Sequence, residues 1–447
     1  MARKRIAAAA KATPKPNESN AKKRAICLGG GGPAAGLHIG ALEQLTGKSD
    51  ANGQPIRFDI WALSCIGAWV GVIYNQAKNG EGLATLNEFF RDVFREDKSF
   101  QSFPTNTIFA PDWAGNAEAM LNFLWDPGNY RNAFLPREMM KSFLYSMSSL
   151  RRMSASRRNG EPEEFSEGDF NRWALNHVLA VHPGVRFLTA LLYKSAIDGR
   201  ARLHYRDSSF LKDINFKNLD AEGKPYIFFN AFNFDTKKLD LFANNPPERP
   251  RDSDHKAISA ESLCACSALP FVEQTVKVGS HTYCEGALVD TVNFFDLLDD
   301  HKDDLAEIWI NRIVDAHQIR QPQNLYDAFA NLCQLFAATV GADDVKLFKH
   351  KVRENNRKGN KLKWTGTIVE IQVDDQIDFH WSHKNLNDGR DRGARAAENA
   401  YKLYMLYKDM NKADDDVTII PDDLNNKQIE AAGVPLPRKR LRPDWDL

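Results

Sequence analysis

Phe58-Asp59-Ile60-Trp61-Ala62-Leu63-Ser64-Cys65-Ile66-Gly67-Ala68 begins as a run of strand formers and closes on small residues that open a helix. A strand that turns sharply into a helix pushes the residue at the corner outward. Here that residue is Cys65, at the place where a serine hydrolase would expose its nucleophile. The stretch therefore predicts an α/β core with a thiol at the strand–helix junction.

Upstream, Arg24-Ala25-Ile26-Cys27-Leu28 reads as a short buried strand that ends in Gly29-Gly30-Gly31-Gly32. The spacing of Leu37, Ile39, Leu42 and Leu45 then predicts a helix. Downstream, 67–78 and 83–94 have helical spacing. Residues 105–180 look mostly helical, with Arg-rich and Ser-rich breaks near 149–160, and a cap or insertion is expected at about 100–180. Strand-like runs return at Val185-Arg186-Phe187-Leu188-Thr189-Ala190-Leu191-Leu192-Tyr193, at 203–206 and at 226–232. A helix over 257–267 and a strand over 305–314 complete the pattern. Strands alternating with helices imply a mainly parallel sheet covered on both faces. Beyond 320 helices dominate, apart from 364–373, which alternates like a strand.

At 447 residues, with 43% hydrophobic, 11% aromatic and 26% charged residues, the chain has the composition of an ordinary globular protein with a sizeable core. The formal net charge is zero, so bulk electrostatics gives no reason to expect a specific nucleic-acid partner. The longest apolar runs are shorter than the roughly 20 residues a membrane span needs. Six cysteines spread over this length (Cys27, Cys65, Cys264, Cys266, Cys284, Cys333) match neither a disulfide framework nor a zinc pair, so a reducing cytoplasm is the expected setting.

The ends differ from the middle. Residues 1–24 carry eight Lys or Arg against one Glu and no aromatic residue, the composition of a solvated arm. Its plain reading is a solubilising tail; its sharper one is peripheral contact with a membrane or an anionic lipid granule. A second polar tail is expected from 413, with the basic cluster Pro437-Arg438-Lys439-Arg440-Leu441-Arg442. The expected organisation is an arm (1–23), one large α/β domain (24–315), a mostly helical extension (316–412) and a tail (413–447).

The glycine run admits three uses. A phosphate-binding Walker loop would end in Gly-Lys-Ser/Thr, and Ala34-Ala35-Gly36 supplies no lysine. A dinucleotide loop stays open on Gly30, Gly32 and Ala35, but the second strand ends in Leu63-Ser64-Cys65 rather than in a ribose-binding acid. The third use is an oxyanion hole, in which successive N–H groups point at one spot ahead of a helix N-terminus.

A third segment, over 260–288, reads as a helix, a Pro turn, a hairpin, and then Tyr283-Cys284-Glu285-Gly286-Ala287. An acid followed by Gly-Ala on a turn projects its carboxylate with little cover; Glu285 taken alone would fit a surface turn. In this order the three segments resemble the patatin-like phospholipase family over roughly residues 24–315. That family places a Gly-rich oxyanion loop after its first strand, a Gly-x-Ser-x-Gly elbow next, and an Asp-Gly-Gly/Ala turn whose Asp is the base of a Ser-Asp dyad. GGGGPAAGLHIGAL at 29–42, FDIWALSCIGAWVG at 58–71, and Cys266-Ser267-Ala268-Leu269-Pro270 leading into Glu285-Gly286-Ala287 match these without gaps.

The departures fall on the chemistry. The family's basic loop residue is Ala34 here and the following Gly is Ala35. The first elbow Gly is Leu63, the nucleophile is Cys65, and the Asp is Glu285. Taking Ser64 as nucleophile instead would put Ile66 where the second Gly belongs and break the match.

The resemblance implies a three-layer α/β fold and an acyl-ester hydrolase or acyltransferase acting on lipid or another acyl ester without metal or cofactor. Cys65 would be the nucleophile, Glu285 the base, and Gly30, Gly31 and Gly32 the oxyanion hole. A thiol near pKa 8.5 yields its proton to a carboxylate more readily than a serine hydroxyl does, and a helix N-terminus helps. Glu adds a methylene of reach and sulfur is larger than oxygen, so the paired replacement could keep contact. The expected insertion, rich in Phe and Leu, could shelter an acyl chain. The alternatives are an inactive relative that binds acyl chains and, second, a dinucleotide enzyme.

Other candidates are weaker. His38 reads as a packed core histidine, with a third catalytic member as the alternative. His380 and His383 have i, i+3 spacing but no further ligand in sequence. Cys284 reads as a small buried residue rather than a resolving thiol, and Cys264 and Cys266 as packing.

Overall fold

The computed structural model describes residues 22–94, 110–111, 113–158, 167–202, 209–244, 255–323, 325–358, 363–373, 378, 380–410 and 416–436. The strands before the first long insertion are β1 (Lys23–Leu28) and β2 (Ile60–Leu63), and within and after it come β3 (Ala110–Pro111), β4 (Gly199–Arg202), β5 (Tyr226–Asn233) and β6 (Lys238–Ala243). They are followed by β7 (Lys256–Ala257), β8 (Phe271–Glu273), β9 (Val276–Val278) and β10 (His281–Glu285), then by β11 (Leu305–Arg312), β12 (Thr367–Gln372) and β13 (Thr418–Ile420).

The main sheet runs β13-β12-β11-β1-β2-β5-β10-β9, with β6 beside β5 and β7 beside β6; β3, β4 and β8 form a small separate sheet. From β13 across to β5 every pairing is parallel, and the antiparallel pairs gather at the β5, β6, β10 and β9 end. Alternation along the central strands builds two cores. Ile26, Leu28, Trp61, Leu63, Ile227, Phe229 and Trp309 face one layer, and Ala25, Cys27, Ile60, Ala62, Phe228, Ile308 and Ile310 face the other. A central sheet buried on both sides has no solvent face to make polar, which is why these strands read as near-continuous apolar runs.

On the first face lie α1 (Ala35–Leu45), α2 (Ile66–Gln76) and α3 (Gly82–Val93). Between residues 113 and 212 come α4 (Trp113–Trp125), α5 (Pro127–Ala133), α6 (Pro136–Arg158), α7 (Glu167–Trp173), α8 (Pro183–Lys194) and the short α9 (Ser209–Lys212). The remaining helices are α10 (Ala260–Cys266), α11 (Phe294–His301), α12 (Leu325–Arg357), α13 (His383–Asp409) and α14 (Asn426–Ala431). α11 and part of α12 cover the second face through Phe294, Leu297, Val345 and Phe348, so the layers are helix, sheet, helix. The result is the expected α/β architecture with a mainly parallel central sheet flanked by helices.

α13 crosses the first face against α1. A Cβ on Gly40 would stand 1.9 Å from the Arg390 carbonyl oxygen, and one on Gly393 would stand 2.1 Å from that of Leu37. Glycine on both helices lets the backbones touch. The helix that follows the glycine loop is thereby held from behind by residues far along the chain.

Two sequence expectations meet a different structure. Val185 to Tyr193 lies in α8, not in a strand: nine apolar-rich residues suit either form, but Pro183 stands in the first turn and His182 caps it, its Nδ1 accepting from the Val185 N–H at 3.3 Å. The helix lays Phe187 against Phe123 and Tyr130. The polar tail expected from 413 is folded over 416–436, where β13 pairs with β12 and α14 begins with a capping box at Asn425 and Gln428. In the mostly helical segment beyond 315, the strand expected at 364–373 is present as β12, in the main sheet beside β11. The strand expected at 203–206, the arm over 1–21 and the basic cluster over 437–442 lie outside the described residues. Among the described residues no helix is long and apolar enough to cross a membrane.

Candidate functional site

β2 stops at Leu63 because its neighbour β1 stops at Leu28, whose carbonyl takes the Ser64 N–H at 3.0 Å. The chain then reverses within one residue. Cys65 sits at φ 48°, ψ −121°, a conformation that L-residues rarely adopt, and α2 starts at the next position. Strain of this kind costs of order 1–3 kcal/mol and persists only where the surroundings enforce it. Here they do. Gly67 lets α2 descend onto β1, since a Cβ there would stand 2.2 Å from the Leu28 carbonyl oxygen. The Gly67 N–H bonds Ser64 O at 2.8 Å, and the Cys65 N–H bonds the Cys266 sulfur at 3.2 Å.

A ring of buried amides lies beneath the turn. Asn230 Oδ1 accepts from the Ser64 hydroxyl at 3.3 Å, while its Nδ2 donates to Asn293 Oδ1 at 2.6 Å and to Asp290 O at 2.8 Å. Asn293, itself left-handed at φ 56°, donates its Nδ2 to Leu63 O at 2.7 Å. Ser64 is thus fully buried and occupied with Asn230, and it does not line the cleft described below. Only Cys65 of the two corner residues faces it.

Glu285 arrives by register. β6 occupies one edge of β5, so β2 and β10 must share the other. Leu63 lies opposite Phe229 and Glu285 opposite Ala231. β10 therefore runs head-on toward the end of β2 and delivers its last residue to the corner where Cys65 stands. A Cβ placed on Gly30 would touch both, 3.1 Å from Cys65 Cβ and 3.8 Å from Glu285 Oε1, so the thiol and the carboxyl group are neighbours.

The glycine loop closes the third side. A Cβ on Gly30 would lie 3.1 Å from that of Cys65 and 3.2 Å from that of Ala287, so any larger residue would press on the thiol. Behind the loop, fully buried His38 bonds Gly29 O through Nε2 at 2.9 Å, so that nitrogen carries the proton. Burial lowers the His38 pKa to about 4 and keeps the ring neutral. Its place is that of a positioning residue behind the loop.

Burial sets the electrostatics of the pair. Loss of water raises the Glu285 carboxyl to about 7, and the neighbouring Cys65 thiol only partly counters this. The Cys65 thiol is held well above its ordinary value, first by burial and then by the neighbouring Glu285 charge. Near neutrality the thiol keeps its proton beside a carboxyl group poised between its two protonation states.

A cleft opens from this pair. Gly30, Gly31, Gly32, Cys65 and Glu285 form its floor, and Ile66, Trp69, Phe89, Phe90, Leu269, Val272 and Trp381 form an apolar wall. Cys333, Gln334 and Ala337 of α12 line it as well. Among the described residues none of the lining comes from the helices between 113 and 194, the described part of the insertion expected to shelter a chain.

The minor candidates have structural places. His383 Nε2 bonds Arg91 O at 2.9 Å, and among the described residues no cluster of three His, Cys, Asp or Glu could hold a metal. Cys264 packs in the core, and Cys284 is buried beside β5. Cys266, read from sequence as packing, lies in the core and also accepts the Cys65 N–H. Asn230, Asn293 and Gln334 were not singled out from sequence. The one available signal was Asn230, an amide set in the aromatic run Tyr226-Ile227-Phe228-Phe229-Asn230-Ala231-Phe232.

The profile of a family described as "Patatin-like phospholipase" matches residues 26–298, more than half of the chain. No curated protein sequence matches it. Among solved structures, the crystal structure of VipD from Legionella pneumophila is similar at 12% identity and a TM-score of 0.33, covering 92% of this chain and 74% of that one.

Proposed function

The chain belongs to the patatin-like phospholipase family, and from that membership we propose that it is a lipid acyl hydrolase or acyltransferase in which Cys65 is the nucleophile and Glu285 the base. The observation that supports this reading is the placing of Cys65 beside Glu285 at a strained strand–helix corner on an apolar cleft.

The chemistry follows from the positions. As the Cys65 sulfur attacks the acyl carbon, its proton passes to Glu285. The carbonyl oxygen gains negative charge, and N–H groups of Gly30, Gly31 and Gly32 are the donors to meet it. A thioester C–S bond forms, the ester C–O bond breaks, and the leaving alcohol takes its proton back from Glu285. Glu285 then activates water for hydrolysis, or an acceptor alcohol for transfer. The basic arm over 1–21 would assist contact with an anionic lipid surface.

A second reading is supported by the high-lying thiol and the apolar walls: a relative that binds acyl chains without turning them over. Incubation with short-chain nitrophenyl esters and acyl-thioesters, followed by intact mass, separates the two. An acyl adduct on Cys65, missing in Cys65→Ala, is the expected result; equal turnover by wild type and Cys65→Ala would sink the nucleophile assignment.

A further inference from the structure

Gln334 stands on α12, beyond the residues matched to the family. It is 6% exposed and lines the cleft, yet its carboxamide makes no hydrogen bond among the described residues. The other polar side chains near the floor are engaged. Cys65 and Glu285 stand beside each other, and the Ser267 hydroxyl accepts from Trp69 Nε1 at 2.8 Å while facing the Leu263 and Cys264 carbonyls. The amide atoms of Gln334 are not among the polar atoms sealed from solvent without a partner, so water or a ligand in the cleft can reach them, and an amide held there is available to a group that enters.

Its position says which part of a substrate that is. α12 packs against the turn Gly286–Leu288 that follows Glu285, and the Glu285 charge raises the neighbouring Cys333 thiol after burial does. Gln334 is therefore on the Glu285 side, where an alcohol would leave or enter. Trp69, Phe89, Phe90 and Trp381 offer the acyl chain the other side.

A carboxamide is uncharged and both donates and accepts, which matches a hydroxyl group. The described lining residues include no Lys, Arg or His to neutralise a phosphate, and an unpaired anion would be costly so deep in apolar surroundings. Resting on the acyl-transfer reading above, we propose that Gln334 recognises an uncharged hydroxyl on the alcohol portion of the substrate. The preferred donors are then neutral hydroxyl-bearing acyl esters of the monoacylglycerol type.

The test compares monooctanoylglycerol with propyl octanoate on full-length wild type and on Gln334→Met, which keeps the side-chain shape. Wild type is expected to favour the glyceryl ester in kcat/KM by about tenfold, and Gln334→Met to bring that ratio near one. Parallel loss on both esters, or an unaltered ratio, overturns the proposal. Calorimetric binding of the two esters to Cys65→Ala and to Cys65→Ala/Gln334→Met should show the same change of ratio, so the question is answered even if Cys65 proves not to be the nucleophile. Thermal unfolding gives an independent check: Gln334→Met should melt no lower than wild type. A fall of several degrees would mean that Gln334 serves the protein rather than a ligand.

Discussion

Leu63 and Glu285 lie along the same edge of β5, opposite Phe229 and Ala231, although 222 positions separate them in the chain. The sheet itself therefore brings the carboxylate to the residue two places after Leu63. Loops only finish the placement, and consequences for stability and rate follow.

Glu285→Gln should stabilise the protein in a pH-dependent way. The folded carboxyl is raised to about 7, whereas an unfolded glutamate titrates near 4.3. Below about pH 4 both states are protonated and the substitution is neutral. As pH rises through 7 the native state must carry a buried charge that the unfolded state carries freely, so the stability contributed by the protonated group is lost. Gln escapes that loss, and its advantage should grow from near zero at pH 4 to as much as about 3 kcal/mol at pH 8. Urea unfolding of both proteins across this range measures it; a constant difference would contradict the shift.

The rate should move oppositely. If Glu285 is the base, kcat/KM on a nitrophenyl ester rises with pH through about 7 as its proton leaves. Glu285→Gln should lower the rate about 10²–10⁴-fold, typical of a lost general base, and flatten the profile. A retained inflection near 7 in the variant would assign it to another group.

Asn293 separates two contributions that usually travel together. Asn293→Gly keeps the left-handed backbone but removes the amide between Asn230 and Leu63 O, and should cost about 2–4 kcal/mol. Asn293→Ala adds about 1 kcal/mol for placing a Cβ at positive φ. Paired denaturation curves read both, and equal losses would show that the φ value carries no penalty.

Gly40→Ala tests the clasp between α1 and α13. The added methyl would meet the Arg390 carbonyl at 1.9 Å, so the helices must part, at a cost of about 1–3 kcal/mol or more. A melting temperature within a degree of wild type would show that the contact is looser than described.

The sequence was most legible where one short segment does one job. Ile60 to Leu63, the glycine run and the Glu285-Gly286-Ala287 turn could be read because each signature is local and their order is distinctive. Legibility failed in two ways. Val185 to Tyr193 is apolar enough for a strand or a helix, and the decision lay outside the run, in His182 and Pro183. Gln334 and the facing glycines of α1 and α13 carry no local signature at all: an amide on a long helix, or a glycine every fourth residue, acquires meaning only when another element is placed against it.

Part of the cleft's lining, from α12 and Trp381, comes from beyond residue 298, while the corner, the carboxylate and the glycine loop come from within 26–298. One stretch of the chain holds the proposed bond-making groups, and another shapes the room in which they would act. Such a division lets preference be redrawn by changes along a single helix, with the reactive pair, its hydrogen bonds and its protonation left as they are.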